Sequence, residues 1–291
     1  MDEREALSLV AGAVPGAGDD AAVVGDTVVT TDMLHETTDF PTGTSRYTAG
    51  WRAVGASLSD VAAMGATATA AVAVYAAPTF EGDAVAAFLD GATEVCDRVG
   101  ADYVGGDLDS HGEFTVASTA LGETDAPVRR STARPGDRVC VTGSLGRSGA
   151  ALRLFERGDA EAANDLFRFT PRVAAGQALA AHATAMLDSS DGLARSVHQL
   201  AAASDCGVAL ESAALPVAPA VDDVAADDAD RRELSVFFGE DFELVCTVPP
   251  DALDAAREAC PVSLADVGTV TESGVTMDGE SLPDRGYTHG T

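Results

Sequence analysis

Aspartate recurs along this chain at the borders of short apolar segments, always among small residues: Gly18-Asp19-Asp20, Thr30-Thr31-Asp32, Ser57-Leu58-Ser59-Asp60, Gly105-Gly106-Asp107 and Asp188-Ser189-Ser190-Asp191. Carboxylates beside glycine or serine at such borders are how a fold lines a pocket with hard oxygen donors, the kind Mg²⁺ prefers. Any single one of them is better explained as a turn or a helix cap. As a set they change the odds: if the segment ends that carry them converge, they offer hard oxygen ligands in number, and two or more Mg²⁺ ions would relieve their repulsion. Magnesium held by carboxylates usually also binds substrate phosphates, so the implied ligand is a nucleoside triphosphate.

Charge narrows the partners. Asp and Glu total 47 against 18 Lys and Arg, a formal net charge of -29, and no lysine occurs. That field repels nucleic acid and anionic membranes, and neither is an expected partner. The acids are dispersed rather than gathered in a tail, which reads as a halophilic adaptation to high salt, where self-repulsion is screened. Without lysine there is neither a Walker A loop nor a protein-kinase site. At 291 residues and 46% hydrophobic content the chain can bury cores for two domains, taken as 1–125 and 126–291. Cys96, Cys140, Cys206, Cys246 and Cys260 form no C-x-x-C pair, which argues against a zinc site or a disulfide framework. The start, Met1-Asp2-Glu3-Arg4, lacks the features of a signal peptide, and no segment is long and apolar enough to span a bilayer, so a cytoplasmic location is expected.

Strands and helices alternate in the first half. Ala21–Val24 and Thr27–Thr31 read as a hairpin about Gly25-Asp26, with Asp32 closing its second strand. A helix is predicted from about Ser45 to Met64, a strand over Thr67–Ala77, and a helix over Glu81–Val99 that ends at Gly100. Ala101–Val104 is read as a strand delivering Gly105-Gly106-Asp107, and Phe114–Leu121 as its successor. The polar stretch Glu123–Asp137 is the linker candidate. Beyond it come strands over Arg138–Thr142, Ala183–Leu187 and Glu243–Val248, a helix over Gly192–Ala203, and an acidic solvated loop over Asp222–Asp230.

Ser57 and Asp60 lie one turn apart on an otherwise apolar helix, where an uncompensated aspartate would cost several kcal/mol. Asp60 is therefore the least incidental of the set. Gly143–Gly149, between a strand and a helix, is either a phosphate-cradling loop or a plain tight turn. Arg129, Arg130, Arg134, Arg138 and Arg147 concentrate cations that either meet phosphate bidentately or are solvated. The five histidines show no metal spacing, and no Gly-x-Ser-x-Gly elbow occurs, so nucleophilic hydrolysis has little support.

In order and spacing, Gly-Asp-Asp-Ala-Ala-Val-Val (18–24), Thr-Thr-Asp-Met-Leu (30–34), Ser-Leu-Ser-Asp-Val-Ala-Ala-Met-Gly-Ala (57–66), Gly-Gly-Asp (105–107), Thr-Gly-Ser-Leu-Gly (142–146), Leu-Asp-Ser-Ser-Asp-Gly-Leu (187–193) and Gly-Glu-Asp-Phe-Glu-Leu (239–244) resemble the thiamine-monophosphate kinase family across nearly the whole chain. The resemblance implies an α/β (α+β) fold similar to aminoimidazole ribonucleotide synthetase: an N-terminal domain that dimerises through its sheet and a C-terminal α/β domain, with ATP near the domain junction of a homodimer. It implies Mg²⁺ positions at Asp20, Thr30, Thr31, Asp32, Asp60, Asp107, Asp188 and Asp191. It implies ATP contacts at Gly106, Asp107, Arg130 and Ser190, and thiamine-phosphate contacts at Asp39, Glu240 and Tyr287. Asp39 stands where the family commonly has histidine. The reaction implied is Mg²⁺-assisted in-line transfer from ATP to thiamine phosphate, without a catalytic side chain, because the acceptor phosphate is already ionised.

Two relatives of the fold resemble thiol-dependent systems, whose reactive cysteine near the N-terminus or at the C-terminus has no counterpart here. The synthetase itself, a non-catalytic Mg-nucleotide-binding protein and a salt-adapted globular protein with surface acids remain as alternatives.

Overall fold

In the computed structural model, which describes residues 9–286 apart from 11 and 15, two sheets enclose a helix. Tyr287 lies outside the described residues. The first sheet has the order β1-β2-β5-β3-β4, from β1 (Ala22–Val24), β2 (Thr27–His35), β3 (Thr67–Ala77), β4 (Asp102–Ser110) and β5 (Thr115–Glu123). Only β3 and β4 run parallel. Among its helices are α1 (Glu36–Asp39), α2 (Arg46–Ala63) and α3 (Gly82–Val99). Ser45 caps α2 by accepting from Thr48 N, and Gly100, at φ 76°, ends α3 in the left-handed conformation that glycine permits.

The second sheet has the order β12-β11-β8-β10-β6-β9-β7. Its strands are β6 (Arg138–Thr142), β7 (Ala185–Asp188), β8 (Gly207–Leu210), β9 (Leu244–Val248), β10 (Leu264–Thr271), β11 (Val275–Met277) and β12 (Glu280–Ser281). Around it lie α4 (Arg147–Glu156), α5 (Ala160–Phe167), α6 (Val173–Leu179), α7 (Leu193–Ser204), α8 (Pro219–Val224), α9 (Asp228–Arg232) and α10 (Leu253–Ala259). No helix of the described residues is long and apolar enough to cross a membrane.

Small residues let α2 sit deep. Ala49, Ala53, Leu58, Val61, Ala62 and Ala63 are all buried, and the helix touches β2 and β5 on one side, α6 and β7 on the other. One apolar core consequently runs from Val28 and Val116 through α2 to Met186 and Leu244. The outer face of the first sheet is left open: Met33, Val72, Val74 and Leu121 are 36–55% exposed.

Several expected boundaries move. β2 continues to His35 because β5 pairs with it up to His35↔Thr115, so Asp32 sits within the strand rather than closing it. Gly105-Gly106-Asp107 likewise lies inside β4, which pairs with β3 through Ala77↔Ser110 after a bulge at Gly105. Asp222–Asp230 is mostly exposed, as expected, but spans the end of one helix and the start of the next rather than a loop. Val221 and Val224 are buried in α8, and Asp227 caps α9 by accepting from Asp230 N. The central strand β10 was not anticipated.

Candidate functional site

Three aspartates meet where α2 passes between the sheets. Asp20 precedes β1, Asp60 lies on α2 and Asp188 ends β7, and one carboxylate oxygen from each falls within 4.8 Å of the others. Alternation along β2 turns Thr30 and Asp32 toward α2. Thr30 Oγ1 donates to Asp60 Oδ2 (2.5 Å), and Ser57 Oγ donates to Asp32 Oδ2 (2.8 Å). Asp20, Thr30, Thr31, Asp32, Asp60 and Asp188, with Ser190 and Arg130, line a cavity of about 490 Å³.

The electrostatics of the cluster are costly for the bare protein. Burial holds the Asp20, Asp32, Asp60 and Asp188 carboxyls above the ordinary range, and for Asp60 the neighbouring Asp32, Asp188 and Asp20 push further, to well above it. Arg130 offsets part of this through an ion pair to Asp20 (2.9 Å), while Arg129 approaches Asp19 (3.5 Å). Burial pulls Arg130 down, but the carboxylates around it outweigh that and raise it. Asp20 Oδ2 and Asp188 Oδ2 remain buried without a well-formed hydrogen bond. Hard oxygens in mutual repulsion, two of them unsatisfied, are a donor set that a divalent cation fits.

Asp107 and Asp191 stand apart from this cluster. Asp107 lies on β4 beside a separate cavity of about 380 Å³, and its Cα partner Val74 places it on the open sheet face. Gly106 lines the same cavity, packed so closely on β3 that a Cβ would meet the Ala73 carbonyl oxygen at 1.8 Å. Thr31 lines the cluster cavity, although its hydroxyl turns to the open face and donates to Ser118 O (2.8 Å). Asp191 stands in the turn before α7, its backbone against Gly239, and is not among the three carboxylates that meet.

A larger cavity, about 840 Å³, opens between α1 and the second sheet's helices. Asp39 and Glu240 both line it, with Glu36 and Glu233 adding acids, Arg46 the one cation among its described lining residues, and Phe40, Phe167, Phe237 and Phe238 the aromatic walls. Asp39 Oδ2 accepts from His35 N (2.7 Å) and from Thr38 Oγ1 (2.7 Å). Glu240 N donates to Ser190 O (2.6 Å), so the two cavities share a wall.

The glycine-rich loop is not a phosphate cradle. Its amides are taken by the chain's own carboxylates: Gly146 N and Ser148 N donate to Asp241, and Ser144 N donates to Glu243. Burial pushes Asp241 up to about 7 against those amide bonds. Of the arginines, Arg129 and Arg130 share Asp19 at the edge of the cluster, and Arg138 and Arg147 do not join them. Arg138 pairs with Asp266, and Arg147 donates to Leu166 O and Arg168 O. Arg52 went unnoticed in the sequence, although it is fully buried and pairs with Glu240. A cation within the apolar stretch of a helix was the signal, the counterpart of the one that marks Asp60.

Comparison with known proteins identifies the family of the chain and its fold. Residues 18–124 match the family model described as AIR synthase related protein, N-terminal domain, and 134–278 match the corresponding C-terminal domain. The chain is 66% identical to the thiamine-monophosphate kinase of Halobacterium salinarum over 99% of its own length and 100% of the relative's. Its fold is similar to the thiamine-monophosphate kinase of Stenotrophomonas maltophilia (TM-score 0.82, 32% identity, 95% of each chain). It is also similar to AaThiL complexed with AMPPCP and TMP (TM-score 0.89, 27% identity, 99% of this chain and 97% of that one). By these matches, and with both halves of the AIR synthase related fold present, the chain belongs to the thiamine-monophosphate kinase family.

Proposed function

We propose that the chain transfers the γ-phosphoryl group of ATP to thiamine monophosphate, giving ADP and thiamine diphosphate in thiamine diphosphate biosynthesis. The shared wall carries this reading. The Glu240–Ser190 backbone bond sets a cavity suited to a cationic aromatic ring directly against a carboxylate cluster suited to phosphate-bound metal. Four carboxylates and four phenylalanines around one arginine favour the thiazolium of thiamine. No histidine or lysine lines either cavity among the described residues, and none is needed, since an acceptor phosphate oxygen is already an anion.

Asp20, Asp32, Asp60 and Asp188 would hold Mg²⁺, which when bound neutralises phosphate charge and orients the transferred group. The chain's own part is placement. Thr30 and Ser57 fix the carboxylates they donate to, Arg130 and Ser190 stand at the cavity rim for ATP, and Asp39 and Glu240 face the acceptor. Attack by the acceptor oxygen on the γ-phosphorus forms one P–O bond as the bond to the ADP oxygen breaks.

The same reading includes a homodimer through the open sheet face. That face carries Asp107, an expected metal position that does not reach the cluster within one chain. Asp191 and Tyr287 keep the metal and substrate roles that the resemblance implies. A cytoplasmic location supplies the ATP, and the dispersed acids suit high salt. The test is a coupled assay in molar KCl with ATP, Mg²⁺ and either thiamine monophosphate, thiamine or an aminoimidazole precursor. Thiamine diphosphate should form from the monophosphate alone; folded protein that makes none overturns the proposal.

A further inference from the structure

Arg52 is the largest fully buried side chain of the described residues, yet it is charged. Its Nη1 donates to Phe167 O (2.5 Å), its Nη2 to the Glu240 carboxylate and to Glu240 O (3.3 Å). The guanidinium lies 3.6 Å from the centroid of Phe167 and 5.3 and 5.5 Å from Phe169 and Phe242, which stack on one another at 4.3 Å. Ser148 Oγ donates to the same Glu240 carbonyl (2.6 Å).

What this cage holds is a backbone that would not stand alone. Glu240 and Phe242 are non-glycine residues at φ 62° and 53°, in the left-handed region that costs about 1 kcal/mol or more per residue without glycine. Glu240 N and Phe242 N are tied to Ser190 O and Ser189 O, beside Asp188 of the carboxylate cluster. Arg52 stands on α2, eight residues before Asp60, so one rigid helix reaches both cavities: Asp60 into the cluster and Arg52 behind the wall of the larger one.

Resting on the kinase reading above, we propose that Arg52 is a positioning residue: from behind the cavity wall it fixes the Glu240 carboxylate and its left-handed turn, setting where thiamine monophosphate sits relative to the carboxylate cluster. A guanidinium is suited to this because one planar fork meets a carboxylate and two carbonyls while stacking on rings. Lysine keeps the charge but not the fork.

The experiment measures KM for each substrate, kcat, melting temperature, and thiamine monophosphate affinity by calorimetry, in Arg52→Lys, Arg52→Met, Glu240→Gln and the double variant Arg52→Met/Glu240→Gln. Arg52→Met should raise the KM and Kd for thiamine monophosphate about 10-fold or more, leave the KM for ATP within about twofold, and be non-additive with Glu240→Gln. Arg52→Lys should fall between it and the parent. Trp51, the only tryptophan, donates Nε1 to Phe169 O, so its fluorescence should shift in Arg52→Met as the Phe169–Phe242 stack loosens. Equal losses for both substrates, or additive losses, would reduce Arg52 to a structural residue and overturn the proposal. Should Arg52→Met fail to fold, parental affinity in Arg52→Lys overturns it equally. Because the calorimetry needs no turnover, a parent that binds thiamine monophosphate without forming diphosphate sinks the kinase reading and leaves the Arg52 comparison intact.

Discussion

Asp60 concentrates the chemistry of the cluster in one side chain, and its behaviour can be predicted with a sign. Its folded carboxyl lies well above the unfolded value of 3.8, chiefly through burial and then through Asp32, Asp188 and Asp20. The stability that goes with such a raised value is fully present below about pH 3.8 and is lost as pH rises through the folded value. At pH 8 in EDTA, Asp60→Asn should therefore melt roughly 2–6 °C above the parent, a gap that closes toward pH 4. Saturating Mg²⁺ should reverse the order, since binding at 100-fold over Kd adds about 2.7 kcal/mol to the parent and much less to the variant. Turnover should drop about 10²–10³-fold. A variant that melts below the parent in EDTA at pH 8 would show that Asp60 is satisfied without metal. Asp60 was legible because it interrupts an apolar helix. Arg52 offered the same signal, but its partner Glu240 is 188 residues away, and pairing at that separation is set by tertiary structure alone.

At the scale of elements, α2 and α3 were readable nearly to the residue because Ser45, Gly65 and Gly100 mark their ends. Their spacing was not readable. A Cβ at Gly50 would strike the Phe88 carbonyl oxygen at 2.1 Å and one at Gly91 the Tyr47 carbonyl oxygen at 2.0 Å, so these helices touch backbone to backbone. Gly91→Ala should cost about 1–3 kcal/mol in chemical denaturation, more than an alanine gains in helix propensity. The glycine-rich loop stayed ambiguous for a related reason: strand, glycines and helix fit a phosphate cradle or a tight turn equally, and only the fold shows Asp241 and Glu243 occupying its amides from a distant segment. Arg147, bonded to the Leu166 and Arg168 carbonyls, belongs to that packing. Arg147→Ala should lower the melting temperature by a few degrees and leave the KM for ATP within about twofold. A large rise in that KM would restore the loop as a nucleotide site.

For the whole molecule, the placement of Asp107 argues for more than one chain. Three of the expected carboxylates meet within a single chain, yet Asp107 lies on the open face of the first sheet beside Val72 and Val74, whose apolar side chains are about a third exposed. Closing that face against a second copy hides the patch, and by two-fold symmetry offers each chain's Asp107 to its neighbour's cluster. If so, Asp60→Asn and Asp107→Asn should each be inactive as pure dimers, because each removes its carboxylate from both sites. Mixed after dissociation and reassembly, half of the dimers pair one variant with the other. In each of these, one site carries both substitutions and the other carries neither. Equal mixing should then restore about a quarter of the parental turnover. Val74→Asp, which sets a charge in the buried face, should yield a folded monomer by light scattering and abolish both the parental activity and the rescue. No rescue from mixtures shown to contain hybrid dimers would place Asp107 outside the site, and an active Val74→Asp monomer would show that one chain suffices.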